Sequence, residues 1–151
     1  MDARLLVARL EGLASAFNRA SLDVPDGTLD RGCTFRLNGT SYAEAMGQPL
    51  TSPLVRLVAL GPAAYRFLAQ AVRYALPDAR LDLGDVTVTH HEHGGLVTGV
   101  AILAGTFRGR TTLVDTRVDF AVVVNQSGAA IEVGVNAPQA LLAAIADARR
   151  L

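Results

Sequence analysis

The sequence predicts an α+β fold, in which helices pack against an antiparallel β-sheet. Apolar residues recur at helical spacing in three segments, at the beginning, in the middle and at the end of the chain. Between the second and third of these segments, four apolar-rich runs are joined by short connections rich in turn residues, which is typical of a meander of hairpins. The 151 residues suit one domain and contain no linker-like stretch, so we expect a single domain over 1–151.

The three predicted helices are indicated by different signals. From Asp2 to about Ala20, apolar residues recur every three or four positions, which predicts an amphipathic helix. Gly61 and Pro62 begin the second helix, because proline fits the first helical turn, and the helix ends before Pro77. Pro138 begins the third helix, which has arginines near its C-terminus, where the helix dipole favours cations.

The predicted strands form two groups. After a loop over 21–31, residues 33–37 form a short strand that ends at an Asn-Gly pair. Residues 41–46 fit either a strand or a helical turn, and residues 54–60 fit either a strand or the approach to a helix. The four strands of the meander are predicted over 80–90, 96–107, 111–124 and 129–135, with a turn at 93–95.

The two central strands of the meander differ in the polarity of their faces. The strand over 96–107 is apolar on both faces, so one face would form an exposed patch unless a partner covered it. We therefore expect a homodimer formed through the meander. The strand over 111–124 has one apolar face and one wetter face. The apolar face comprises Thr112, Val114, Thr116, Val118, Phe120 and Val122, and the wetter face comprises Leu113, Asp115, Arg117, Asp119 and Ala121.

Composition excludes several classes of function. Arg plus Lys and Asp plus Glu number 14 each, so no net field attracts nucleic acid or an anionic membrane, and we expect neither as a partner. No apolar run is long enough to span a bilayer, and the first residues do not resemble a signal peptide. Cys33 is the only cysteine, which favours a reducing, cytoplasmic setting. Phosphate loops, nucleophile elbows and cysteine-rich zinc patterns are absent from the sequence, so we expect no cofactor.

Five short stretches occur in the same order as the elements of a known family. They are AFNR at 16–19 with LD at 22–23, FRLNG at 35–39, LPD at 76–78 with LDL at 81–83 and DV at 85–86, GTFRG at 105–109, and GAAIE at 128–132 with LL at 141–142. With this order of elements, the chain resembles the SnoaL-like polyketide cyclases of the nuclear transport factor two-like superfamily. The resemblance implies a cone-shaped, curved antiparallel sheet wrapped around helices, an apolar pocket inside it, and a homodimer.

The sequence departs from that family where its acid/base groups are expected. Family cyclases tend to have a histidine after the Gly-Thr pair, and this chain has Phe107 there. They also tend to have a tryptophan and then an aspartate in the last strand, whereas this chain contains no tryptophan and has Val135 and Asn136 in that region. The usual proton-transfer pair therefore cannot be carried over to this sequence.

The resemblance and these departures lead to three hypotheses about function. The first is a cytoplasmic SnoaL-like domain that binds a small, mostly apolar molecule in its pocket. The second is an enzyme of the polyketide cyclase, isomerase or epoxide hydrolase type that uses nonstandard acid/base residues. The third is a pocketless dimeric interaction module. An apolar pocket would favour the first, a carboxylate or histidine inside it the second, and a filled interior the third.

The predicted pocket would be lined by aromatic and polar side chains. A tyrosine phenol could polarise a ligand carbonyl, although Tyr74, like the other tyrosines, also fits a core position with its hydroxyl near the surface. Cys33 has no activating neighbour in sequence, which indicates an inert thiol. We expect the pocket to be lined by Tyr42, Tyr65, Phe107, Phe120, Glu132 and Asn136.

Two further groups of polar residues are candidates for a site: a histidine pair and a charged triplet. His91 and His93 would point the same way on a strand, as metal ligands can, but no third ligand accompanies them and we expect no metal site. Arg117 lies between Asp115 and Asp119, and such a triplet can hold carboxylates for acid/base work, as in epoxide hydrolases of this fold. Because the opposite face of the strand is more apolar, we expect the triplet on the convex face or at a dimer interface.

Overall fold

A computed structural model of the chain describes residues 2–45, 53 and 59–148. It confirms the α+β class, with a curved sheet that does not close into a barrel. In chain order the elements are α1 (Ala3–Asn18), β1 (Leu29–Leu37), β2 (Thr40–Ser41), α2 (Tyr42–Ala45), α3 (Gly61–Ala75), β3 (Arg80–His91), β4 (Gly94–Thr106), β5 (Leu113–Asn125), β6 (Ala130–Asn136) and α4 (Gln139–Ala148).

The six strands form one sheet in the order β2-β1-β6-β5-β4-β3. Neighbouring strands are antiparallel except β1 and β6, which run parallel with Phe35 opposite Val133. The predicted curved antiparallel sheet is therefore confirmed, with this one parallel pair as a departure from it. Parallel neighbours need a crossover connection, and here α3 and the rest of the meander supply it.

The meander has nearly the predicted boundaries, with corrections at two places. The predicted turn at 93–95 is displaced: the turn lies at Glu92 and His93, whereas Gly94 and Gly95 lie within β4 and pair with both β3 and β5. In β3, the register shifts between Gly84 and Thr87, and Asp85 has a φ of 52°. This bulge reverses the alternation, as bulges do. As a result, the half-buried side chains of the strand are Leu81, Leu83, Val86 and Val88.

The segments before α3 also differ in part from expectation. The loop predicted over 21–31 ends early, because β1 begins at Leu29, which lies opposite Ala130. Both alternatives for 41–46 are partly correct, since Ser41 ends β2 and α2 follows it, while residue 46 lies outside the described residues. Of the segment 54–60, residues 54–58 lie outside the described part, and Leu60 forms an isolated antiparallel bridge with Thr34.

Helix α1 is tied to the free edge of the sheet. The Asp2 carboxylate caps its first turn by accepting a hydrogen bond from the Arg4 N–H at 3.0 Å. At its other end, the Asn18 side chain accepts a hydrogen bond from the Leu81 N–H at 2.7 Å and donates one to the Leu81 carbonyl at 3.0 Å. These contacts hold α1 against β3. The buried residues of α1 are Leu6, Ala14, Ala16 and Phe17.

Helix α3 begins at the predicted residue and packs across the sheet. Gly61 has a φ of 62°, and a Cβ there would lie 2.6 Å from the Arg31 carbonyl oxygen, so only glycine fits. Apolar side chains of α1, α3 and the sheet form two buried clusters. The first comprises Leu6, Cys33, Phe35, Ala64, Val97, Val122, Val124 and Ala130, and the second Phe17, Ala69, Leu76, Ala79, Leu103, Val118 and Leu141. None of the described helices is both long and apolar enough to cross a bilayer.

Candidate functional site

The sheet has an inner face, which packs on α1 and α3, and an outer face. On β4 and β5 the inner face includes Val97, Leu103, Val118 and Val122, all of them buried. Phe120 also faces inward and packs against the first cluster, but it is only partly buried. Phe120 is therefore an inward-facing aromatic residue of β5 that keeps some accessible surface.

Tyr65 brings a hydroxyl group into this apolar interior. Its side chain packs against both buried clusters, and its hydroxyl oxygen is buried without a hydrogen-bond partner. Burial raises the pKa of the phenol above its usual value of 10.0, and the positive charge of Arg73 partly opposes that rise. A buried hydroxyl without a partner is uncommon and can donate to an acceptor on a bound molecule.

Arg73 lies two helical turns after Tyr65 and fixes one end of the interior. Its guanidinium donates to the carbonyls of Phe17, Pro77 and Ala79, the last two at 3.2 and 2.9 Å. It also lies 4.6 Å from the centroid of the Phe17 ring. These contacts join the ends of α1 and α3 to the beginning of β3. Arg73 therefore holds a positive charge near Tyr65 in a fixed position.

The Phe120 ring packs over Gly99 of β4, where no side chain is present. A Cβ placed on Gly99 would lie 2.7 Å from the Phe120 Cζ atom and 3.1 Å from the Gly84 carbonyl oxygen. Since Gly99 lies directly opposite Phe120 in the β4–β5 ladder, the ring uses the space that a larger residue would fill. The structure thus places Phe120 on the inner face.

The other aromatic residues predicted for the pocket also pack against the core. Tyr42 packs against the first cluster, and its ring centroid lies 5.8 Å from that of Phe67. Phe107 packs against the second cluster, with the Arg110 guanidinium 6.0 Å from its ring centroid. Tyr65 is the one residue of the predicted set that packs against both clusters.

Glu132 and Asn136, by contrast, lie on the outer face. In β6 the inward-facing residues are Val133 and Val135, which pack against the two clusters, so alternation turns their neighbours outward. Glu132 forms an ion pair with Arg36 at 2.8 Å, and Asn136 is exposed. The structure therefore does not bring these two residues to Tyr65, and they do not fit the predicted pocket.

The charged triplet of β5 also lies on the outer face, as the alternation predicts. Asp115, Arg117 and Asp119 are all exposed. The Arg117 guanidinium and the Asp119 carboxylate are 3.3 Å apart, with side chains 66% and 58% exposed. These groups are separated from Tyr65 by the sheet and cannot act on a molecule at the inner face.

The remaining sequence candidates do not add a reactive group to the inner face. His91 and His93 are exposed where β3 meets β4, and no three His, Cys, Asp or Glu side chains within the described ranges could hold a metal ion. Tyr74 is exposed on α3. Cys33 is fully buried, and burial, with the nearby Asp30 and Glu132 carboxylates, raises the pKa of its thiol to about 12. The thiol is consequently protonated and inert near neutral pH.

Sequence reasoning missed two residues that shape the interior. Gly99 interrupts an apolar strand, and such a glycine often marks a close approach, so this signal was available. Arg73 lies eight positions after Tyr65, a spacing that places both on one side of a helix. Nothing local in the sequence indicates that backbone carbonyls from the end of α1 and from the loop before β3 converge on Arg73.

Comparisons with known proteins agree on the architecture. No family model matches the chain, and no curated protein matches its sequence. Among solved structures, a candidate SnoaL-like polyketide cyclase from Jannaschia sp. CCS1 superimposes with a TM-score of 0.66 and 17% identity, over 93% of this chain and 90% of that one.

Two further solved structures, from other organisms, superimpose on this chain to a similar extent. IdmH, a candidate polyketide cyclase from Streptomyces antibioticus, gives a TM-score of 0.64 at 18% identity, over 93% of this chain and 98% of its own. BvnE pinacolase from Penicillium brevicompactum gives 0.65 at 13% identity, over 98% and 92%. At such identities the likeness establishes the fold alone. The chain therefore has a fold like that of these solved SnoaL-like polyketide cyclases.

Proposed function

We propose that the chain binds a small, mostly apolar molecule at the inner face, with the Tyr65 hydroxyl as its polar anchor. The observation that carries this proposal is the buried hydroxyl without a partner between two apolar clusters. Leaving such a group unsatisfied costs about 1–3 kcal/mol, which an acceptor oxygen on a ligand would offset. Solved relatives named as polyketide cyclases support a ligand of this kind.

The proposed ligand has an apolar body and at least one acceptor oxygen. Phe120 and Val133 face inward and remain partly accessible, so they can contact the body of such a molecule. Burial raises the pKa of the Tyr65 phenol and so keeps it protonated, which leaves the hydroxyl able to donate to a carbonyl oxygen. A hydrocarbon of the same shape would leave the hydroxyl unpaired and should bind more weakly.

A matched pair of probes tests this proposal. We expect 2-acetylnaphthalene, a ketone, to bind about 2- to 10-fold more tightly than 2-ethylnaphthalene, since a net hydrogen bond contributes roughly 0.5–1.5 kcal/mol. Tyr65→Phe should abolish that preference, whereas Tyr74→Phe, which changes an exposed phenol, should leave it intact. Titration calorimetry measures both. Absence of binding, or equal binding of the two probes to the unmodified chain, would contradict the proposal.

An enzymatic role is the second candidate function. An enzyme of the cyclase, isomerase or epoxide hydrolase type would have to use Tyr65 as its acid, because the carboxylates of Glu132 and of the β5 triplet lie on the outer face. A phenol and an arginine can stabilise a developing oxyanion but do not supply a base. The lack of a base beside Tyr65 among the described residues favours a binding function over proton transfer. If the chain turned over an enolisable ketone and Tyr65→Phe lost that activity, the enzymatic function would be favoured instead.

We also propose that the chain forms a homodimer through the outer face of the meander. Ile102 on β4 and Leu113 on β5 are 36% and 67% exposed, and charged side chains of β5 surround them. A second copy could cover the apolar residues and pair its charges with those of the first. Sedimentation at micromolar concentration should show a dimer that Ile102→Glu dissociates. A monomer alone would contradict this arrangement, and with it the interaction-module hypothesis.

A further inference from the structure

A groove lies on the side of α3 that faces away from the sheet. It has a volume of about 300 Å³ and is lined by Phe67, Gln70, Ala71 and Tyr74. These residues project from the helix opposite Leu68 and Val72, which pack against the two clusters. Phe67 and Tyr74 are two turns apart, roughly 10 Å along the helix axis, with the small Ala71 between them.

The composition of this helix face is unusual for an exposed surface. Phe67 and Tyr74 are 37% and 44% exposed, although the outer stripe of a surface helix is normally charged or polar. Helix α3 contains no acidic residue, and its polar side chains beyond Tyr65 and Tyr74 are Arg66, Gln70 and Arg73. Exposed aromatic side chains with a concave floor between them are typical of a surface that binds an apolar or planar group.

Arg108 lies beside Tyr74 at one end of the groove and forms no ion pair with another described residue. The Arg108 guanidinium stacks 4.4 Å from the centroid of the Tyr74 ring, and its Nε donates to the Tyr74 carbonyl at 2.9 Å. The two ion pairs found among the described residues involve neither Arg108 nor the nearby Arg110. Stacking and the Nε hydrogen bond fix the plane of the Arg108 fork, which leaves its terminal nitrogens able to bind a carboxylate.

We propose that this groove binds a planar aromatic molecule with a carboxylate substituent. The ring would lie over Ala71 with its edges against Phe67 and Tyr74, and the carboxylate would pair with Arg108. The Gln70 amide can donate to a further oxygen on the ring system. Aromatic contact and a charge-assisted hydrogen bond are thereby provided on adjacent parts of one surface. This site is on the opposite side of α3 from Tyr65 and is independent of the proposed inner-face function.

Titration of the full chain with 2-naphthoate and with its methyl ester tests this site. We expect 2-naphthoate to bind with a Kd below about 1 mM, and the ester to bind about 10-fold or more weakly, as for loss of a hydrogen bond to a charged group. Arg108→Gln should weaken the binding of 2-naphthoate to the affinity of the ester. The affinity for the ester itself should not change. Arg4→Gln, which removes an exposed arginine of α1, is the matched control and should have no effect.

Two further variants locate the bound probe. Ala71→Leu should abolish binding, because the larger side chain fills the floor of the groove, and leucine is compatible with a helix. Tyr65→Phe should leave 2-naphthoate binding unchanged. Equal affinity for acid and ester, binding that survives Ala71→Leu, or binding lost in Tyr65→Phe would each overturn the proposal, as would no binding below 1 mM. Circular dichroism of each variant confirms that it is folded.

Discussion

The inner and outer faces of β4 and β5 are formed by the same two strands, yet they have opposite characters. On the inner face, Val97, Leu103 and Val122 are buried and contact helix side chains. On the outer face, Arg117 and Asp119 are exposed and pair in water. The comparison teaches that stability depends on the inner face, because burial there removes apolar area from water, whereas an exposed ion pair contributes little.

The largest expected difference between the faces concerns two leucines. Leu103 on the inner face of β4 is 6% exposed, and Leu113 on the outer face of β5 is 67% exposed. Leu103→Ala should lower the free energy of unfolding by about 2–5 kcal/mol, because it leaves a cavity. Leu113→Ala should change it by less than about 0.5 kcal/mol. Urea denaturation of both variants measures the difference, and equal losses would invalidate the assignment of the two faces.

The next effect concerns the two glycines that have contrasting surroundings. Gly99→Ala should cost about 1–3 kcal/mol of stability, since the added Cβ would overlap Phe120. Gly134 lies on the outer face, where the nearest atom to an added Cβ is the Ala121 carbonyl oxygen at 3.7 Å, so Gly134→Ala should be neutral or slightly stabilising. Thermal unfolding compares them. Phe120→Leu should reduce the cost of Gly99→Ala, and an unchanged cost in that background would exclude the proposed overlap.

A smaller effect is expected at the unpaired phenol. Tyr65→Phe removes a buried hydroxyl without a partner, so the free energy of unfolding should stay constant or rise by about 1 kcal/mol near neutral pH. Because burial raises the folded-state pKa of Tyr65, the unfolded chain loses this proton first above about pH 10, and stability falls there. Tyr65→Phe should diminish that alkaline loss.

Cys33 requires a control in this pH measurement. Burial raises the pKa of its thiol from 9.0 to about 12, so its contribution is also lost as pH rises through that interval. The comparison of Tyr65 with Phe is therefore made in a Cys33→Ala background by chemical denaturation between pH 8 and about 11. Identical pH profiles for the two chains would show that Tyr65 is not buried as described.

The smallest effect on folding is expected at the charged triplet. Asp115→Asn should change the stability of the monomer by less than about 0.5 kcal/mol, as is usual for exposed charges. The same change should alter the dimer dissociation constant, if the outer face forms the interface, and leave binding of 2-acetylnaphthalene nearly unchanged. Sedimentation and calorimetry measure the two quantities. Loss of ligand binding in this variant would place the triplet near the inner face after all.

Local patterns in the sequence predicted most of the meander but not the pairing of its last strand, β6, with β1. Strands β3 to β6 lie within about two residues of the predicted positions, because alternation and turn residues are local signals. The parallel pairing of β1 with β6 joins Phe35 to Val133, which are far apart in sequence, and no local signal specifies it. The early start of β1 has the same cause, since Leu29 is in the strand only through its pairing with Ala130.

The candidate site was predictable only in part. Inward-facing Phe120 follows directly from the alternation of β5. The same rule applied to Val133 and Val135 would have placed Glu132 and Asn136 outside, but the short strand gave no independent sign of which face was inner. Tyr65 differs again, because α3 carries aromatic side chains both on the side that meets the sheet and on the exposed side, where Phe67 and Tyr74 lie. Which side meets the sheet depends on tertiary packing, so the isolation of the Tyr65 hydroxyl could not be read from the sequence.

The paired hydrogen bonds between Asn18 and Leu81 have a consequence for the behaviour of the chain at high concentration. A free sheet edge offers unpaired backbone groups on which another chain can assemble a strand, and this is a route to fibrils. Along β3, the Asn18 amide occupies one such position, and the bulge at Asp85 interrupts the row beyond it. At the opposite edge, β2 is only two residues long. The interrupted β3 edge and the short β2 are thus poor templates for strand addition, which limits growth of the curved sheet at these two strands.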